Sequence, residues 1–105
     1  MAQFDVFPNT DAESASVIPY VLDVQSNFLD GLSTCLVIPL AMPQALDTLP
    51  ILRLNPSVDV GGNTLVVLTQ DMAPVPRRLL KHPVANLSTQ REETLAALDF
   101  LFTGF

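Results

Sequence analysis

The chain has 105 residues, of which 49% are hydrophobic and 15% charged, and its net charge is −6. Such a composition gives one small domain able to bury a core, and excludes a disordered tail. Five basic residues against eleven acidic ones disfavour a stand-alone nucleic-acid binder or ribonuclease, because phosphate binding is driven by Lys and Arg. A basic protein partner suits the surface better.

In chain order, Gln3-Phe4-Asp5-Val6-Phe7 alternates as a strand with Phe4 and Val6 on one face, and Pro8-Asn9-Thr10 turns it. Residues 9–16 are small and polar, an exposed loop. Pro19–Val24 is the next strand. Leu36-Val37-Ile38-Pro39-Leu40 is apolar throughout, as in a strand covered on both faces, with Pro39 marking an edge or a strand end. Residues 41–50 form a loop or short helical turn around Pro43 and Pro50. Pro50–Leu54 and Val58–Val60 are short strands, and Gly61-Gly62-Asn63 makes a hairpin turn into Thr64–Thr69. Pro76–Leu80 is the last strand.

Nine prolines confine any long helix to stretches without them; residues 23–35 are interrupted by Gly31, and residues 84–105 form the one long proline-free window with helical periodicity. The helix begins at Ser88 or Thr89, with Thr89 and Glu92 at capping-box spacing and Glu92 and Glu93 at the positive end of its dipole. Leu95, Leu98 and Phe102 form its apolar stripe, and Gly104 stands at the C-cap. Phe100, Leu101 and Phe105 fall partly off that stripe. The surplus of apolar surface calls for a second contact, either a subunit interface or a partner.

Catalytic groupings are sparse. Cys35 is the single cysteine, so no internal disulfide forms, and it reads as a small buried hydrophobe. A nucleophile would need a base, and the one histidine, His82, lies in a polar turn beside Pro83. No His/Cys cluster has metal-ligand spacing, so no cofactor is expected. Arg77, Arg78 and Lys81 form the one basic cluster, read as a solvated edge, with contact to a partner as the lesser alternative. Asp23, at a strand end, hydrogen-bonds the following turn. No apolar run approaches the ~20 residues that span a bilayer. With no export signal at the start of the chain, a cytoplasmic protein is expected.

Four segments stand in this order: Leu22-Asp23-Val24-Gln25-Ser26-Asn27-Phe28-Leu29-Asp30, Leu36-Val37-Ile38-Pro39-Leu40, Leu68-Thr69-Gln70-Asp71-Met72-Ala73-Pro74-Val75-Pro76, and Asn86-Leu87-Ser88 before a helix ending Thr103-Gly104-Phe105. Together they resemble the CcdB family of bacterial toxins. The opening Gln3–Phe7 fits as well. The resemblance implies a mostly-β (α+β) fold, a small antiparallel SH3-like barrel or sheet with a C-terminal helix, in a homodimer. It implies a toxin of a type II toxin–antitoxin system, of the kind that serves plasmid maintenance, and not an enzyme. Such a toxin binds the DNA gyrase A subunit and traps the gyrase–cleaved DNA complex. A cognate CcdA-like antitoxin neutralises it, and the pair co-represses their operon, so DNA is met only through antitoxin or gyrase.

Carried over by position, the resemblance assigns gyrase contact to Phe28, Leu29, Asp99, Phe102, Thr103, Gly104 and Phe105. It assigns antitoxin contact to Asp23, Val24, Ser26, Phe28 and Leu29, and the dimer axis to Leu101. Thr103 departs from the tryptophan of the best-known member, and Phe105 is larger than the usual aliphatic end. Two alternatives stand beside the poison: a member that dimerises and binds antitoxin but no longer poisons gyrase, and a ribonuclease toxin on the same fold.

Overall fold

A computed structural model of the chain describes residues 2–104. Among them, seven strands make one antiparallel sheet: β1 (Asp5–Pro8), β2 (Tyr20–Asp23), β3 (Thr34–Ala41), β4 (Ser57–Val60), β5 (Asn63–Val67), β6 (Ala73–Pro76) and β7 (Ala85–Asn86). Helix α1 (Arg91–Thr103) follows them. The order is β4-β5-β3-β2-β1-β7, with β6 also on β3, and the sheet curls into a nearly closed barrel. The mostly-β fold with a C-terminal helix is the one expected from the sequence.

Alternation along the strands sorts two cores. Phe4, Val6, Leu22, Ile38, Leu40, Leu65 and Val67 fill the larger, and Leu98 of α1 packs against it. Phe7, Cys35, Val37 and Leu80 make a smaller cluster on the opposite face. The unbroken apolar run of β3 is therefore covered on both sides. Phe4 is buried at φ +71, a conformation that costs a bulky residue about 1–3 kcal/mol. Its amide donates to Asp23 O at 2.6 Å and its carbonyl accepts from Leu87 N at 2.8 Å, and these bonds hold it there. Gly61 and Gly62, at φ +59 and +86, make the two-residue turn between β4 and β5.

Three expectations need correction. Pro39 lies mid-strand in the central strand and marks neither an edge nor an end. Its carbonyl accepts from Leu68 N, and its missing N–H would face that same side. There the pairing passes from β6, which ends at Val37, to β5, which starts at Leu40, so no ladder bond is lost. The last long strand lies at Ala73–Pro76, with a 3₁₀ turn at Arg77–Leu79 where strand was expected. Pro74 and Pro76 turn their N–H-less side away from β3, which makes β6 a one-sided edge. Pro50–Leu54 is turn and not strand: Arg53 takes φ +74, and the Asn55 side chain gathers Ile51 N at 2.9 Å.

The helical winding starts at Ser88 as expected, as a 3₁₀ turn leading into α1. The Thr89–Glu92 capping box does not form. Asn86 Oδ1 takes the Ser88 amide at 2.9 Å instead, and Gln90, the N-cap of α1, makes no side-chain cap bond. The buried face runs through Thr94 and Ala97, with Leu98 and Leu101 half-covered, while Phe102 stays exposed. Gly104 closes the helix at φ +79, as its position in the sequence suggested.

Candidate functional site

Among the described residues, three of the uncovered apolar features bear on function. The first is the loop between β2 and β3. Ser26 Oγ caps a 3₁₀ turn at Asn27–Leu29 by accepting the Phe28 amide at 3.2 Å. The turn lifts Phe28 to 98% exposure, with Leu29 and Leu32 about half exposed beside it. Asn27 Oδ1 accepts Gln3 N at 2.7 Å, and Gln3 in turn meets Arg91 at the start of α1.

The loop stands on a polar base that is itself buried. Asp23 is 3% exposed and accepts the Gln25 amide at 2.9 Å, the Asx turn expected of it. Burial pushes its carboxyl above the ordinary value, against hydrogen bonds from Cys35 and Gln25 and the Arg77 charge. Burial and the neighbouring Asp23 push the Cys35 thiol up to about 12, so it stays protonated and unreactive. Val24 is buried as well. Of the five residues assigned to antitoxin contact, Phe28 and Leu29 offer surface and Ser26 is half-covered. Asp23 and Val24 shape the base beneath them.

Sequence reasoning assigned Gln25 no role of its own and read Arg77 only as part of a basic edge. Gln25 Nε2 donates to Leu29 O and Thr34 O at 3.3 and 3.2 Å, and its Oε1 accepts Leu36 N at 3.1 Å. Arg77 is half-buried against this loop, where a solvated edge was expected. Nothing in the local sequence marks a bond between residues 45 apart.

The second feature is the end of α1, where Phe102 is 68% exposed and Asp99, Thr103 and Gly104 are exposed around it. The Thr103 hydroxyl donates to Asp99 O at 2.7 Å, so its polar group is satisfied within the helix. Leu101 is half-buried. Phe105 lies outside the described residues. From Arg91 the helix carries these groups about 16 Å along its axis at 1.5 Å per residue. The structure thus sets the expected contact residues on two elements, a loop and a helix end.

The third feature was not anticipated. Pro50, Ile51, Leu52 and Arg53, with Glu93 and Ala96 of α1, border an open groove of about 480 Å³. Leu49 and Leu52 are nearly 90% exposed, and Arg53 lies 4.9 Å from the centre of the Phe100 ring. Asn55 pins this loop through three hydrogen bonds, to Ile51 N, Val67 O and Gln70 Oε1.

Among the described residues no helix is long and apolar enough to cross a membrane, and no three His, Cys, Asp or Glu side chains gather to hold a metal. The CcdB protein family model matches residues 3–104, nearly the whole chain, with the barrel, the exposed β2–β3 loop and the helix end inside the match. The chain belongs to the CcdB family, toxins of toxin–antitoxin modules.

Proposed function

We propose that the protein is a cytoplasmic, homodimeric, non-enzymatic poison of DNA gyrase. It binds the gyrase A subunit, traps the complex with cleaved DNA, is neutralised by a cognate antitoxin, and co-represses their operon with it. The observation that carries this reading is the bare Phe102 on the last turn of α1. A 68%-exposed phenylalanine next to a glycine-capped terminus is an anchor awaiting a pocket. Asp99, Thr103 and Gly104 surround that anchor, Phe105 joins the contact by its place in the sequence, and Phe28 and Leu29 add a second apolar contact. Phe28, Leu29 and Ser26 also receive the antitoxin, over a turn shaped by Asp23 and Val24. Leu101 lies at the dimer axis, where half-burial in the monomer leaves surface for a second copy. With a toxin of net charge −6, an antitoxin segment rich in Lys or Arg associates more slowly as salt rises.

A second reading is favoured by Thr103. Its hydroxyl is held by Asp99 O and it presents no aromatic surface, which suits a member that binds antitoxin but has lost the poison. Induced expression in two isogenic bacterial strains, with wild-type and CcdB-resistant gyrase A, separates the readings. Arrest in the first strain alone supports gyrase poisoning. Arrest in both points to another target, RNA included, and sinks the proposal. Arrest in neither, with soluble dimer present, selects the second reading.

A further inference from the structure

Arg77 follows directly on β6, whose pairing with β3 ends at Thr34 opposite Pro76. Its amide extends the ladder by donating to Ser33 O at 2.8 Å. Its guanidinium then turns onto the loop between β2 and β3. Nε donates to Leu32 O at 2.9 Å, and Nη2 makes longer contacts with Leu29 O and Thr34 O at 3.4 and 3.5 Å. Gln25 donates to the same Leu29 and Thr34 carbonyls. Gln25, two residues past β2, and Arg77, one residue past β6, therefore converge on the same two carbonyls, those of Leu29 and Thr34.

That loop has reason to move without them. It carries Phe28, Leu29 and Leu32 into water, where apolar side chains gain nothing by staying extended. It also contains Gly31, around whose position a Cβ would meet nothing within 4 Å. A guanidinium presents its donors in a fixed planar fork that suits several carbonyls in one geometry; a lysine's donors ride on a flexible stem and lack that fork.

We propose that Arg77 is a positioning residue for the partner-binding face. It holds residues 29–34 in the conformation that presents Phe28, Leu29 and Leu32, so that a partner docks on a preformed loop and the cost of ordering is not taken from the binding free energy. This rests on the reading that Phe28 and Leu29 meet a partner.

The test uses the full chain and two probes, purified gyrase A subunit and the purified cognate antitoxin of the same operon. Arg77→Gln and Arg77→Lys are each expected to weaken binding about tenfold, the scale of losing charged hydrogen bonds at a partly exposed site. Adding Gly31→Ala to Arg77→Gln should restore part of the loss, because a residue with fewer backbone states makes the loop easier to order. In hydrogen exchange without any probe, amides of residues 29–34 should open faster in Arg77→Gln while those of α1 hold. Phe28→Ala is the reference. If it weakens binding and Arg77→Gln does not, the positioning role is wrong and the reading beneath it stands. If Phe28→Ala changes nothing with either probe, the reading fails and the positioning role falls with it, whatever the exchange of the loop. Binding by Arg77→Lys equal to the unsubstituted chain overturns the proposal, since charge alone would then suffice; so does unaltered exchange at residues 29–34.

Discussion

Asn55 is a small side chain with a large structural consequence. It is 8% exposed and makes three hydrogen bonds: Oδ1 accepts Ile51 N at 2.9 Å, and Nδ2 donates to Val67 O at 3.0 Å and Gln70 Oε1 at 2.8 Å. Together they tie the 49–54 turn to the end of β5. Asn55→Ala removes all three and leaves the Ile51 amide and the Val67 carbonyl to find new partners. At about 1 kcal/mol per bond, discounted because two of the three reach partly solvated groups, the loss is about 2–3 kcal/mol. For a domain of this size that lowers Tm by roughly 8–20 °C. Urea denaturation at pH 7 measures it, with protein concentration held fixed because any association of copies couples to stability. Asn55→Asp retains only the Ile51 bond and sets a carboxylate against the Val67 and Gln70 oxygens, so it should lose at least as much. A loss below about 1 kcal/mol in both variants would show that the turn is held by its apolar residues instead, and that this accounting of Asn55 is wrong.

Four further outcomes follow from the same contacts. The Asp23 carboxyl is raised from 3.8 in the folded chain, so the folded state binds the proton more tightly and loses stability as pH rises from below that value through the folded pKa. The stability of Asp23→Asn relative to the unsubstituted chain should therefore grow with pH over this range in parallel urea titrations, and an advantage that shrinks with pH refutes it. Cys35, fully buried with its thiol pushed up to about 12, should resist thiol reagents at pH 8 until urea unfolds the chain; rapid native labelling would contradict this. Phe102→Ala should leave stability within about 0.5 kcal/mol, as for other exposed positions, and abolish growth arrest; a variant that still arrests removes Phe102 as the anchor. Gly104→Ala, at φ +79, should cost up to about 1 kcal/mol of helix-end stability, seen as faster amide exchange in the last turn of α1.

Much of the barrel could be read from the chain because its signals are local. Alternation placed Phe4 and Val6 on one face, paired glycines marked the β4–β5 turn, and Gly104 marked the helix end. The misread segments are those decided by distant partners. Pro39 looks like a terminator until β5 and β6 divide the edge beside it. Pro50–Leu54 has strand composition, but Asn55 folds it back. Leu95, Leu98 and Phe102 share a helical face by spacing, yet the barrel takes the face of Thr94 and Ala97 and leaves Phe102 outside. For Phe28 and Leu29 the sequence offered a contact role only through the family resemblance, since an apolar pair reads equally well as core; their exposure comes from the turn that lifts them. What steadies their loop was not legible, because Arg77 reaches it across 45 residues of sequence.

The seam between β1 and β7 also bears on how the chain is made. Asp5 pairs with Asn86, so the first strand cannot complete its ladder until residue 86 has left the ribosome. Until then β1 offers an open edge beside the finished β1–β2–β3 meander, with Val6 and Phe7 on its two faces. Closing so long a loop is slow, because its entropy is lost before any contact repays it. An unpaired apolar edge in the meantime is a site for pairing with other chains. The yield of folded toxin should therefore depend on synthesis rate and on chaperone supply, and the waiting edge of β1 is where a nascent chain would go astray.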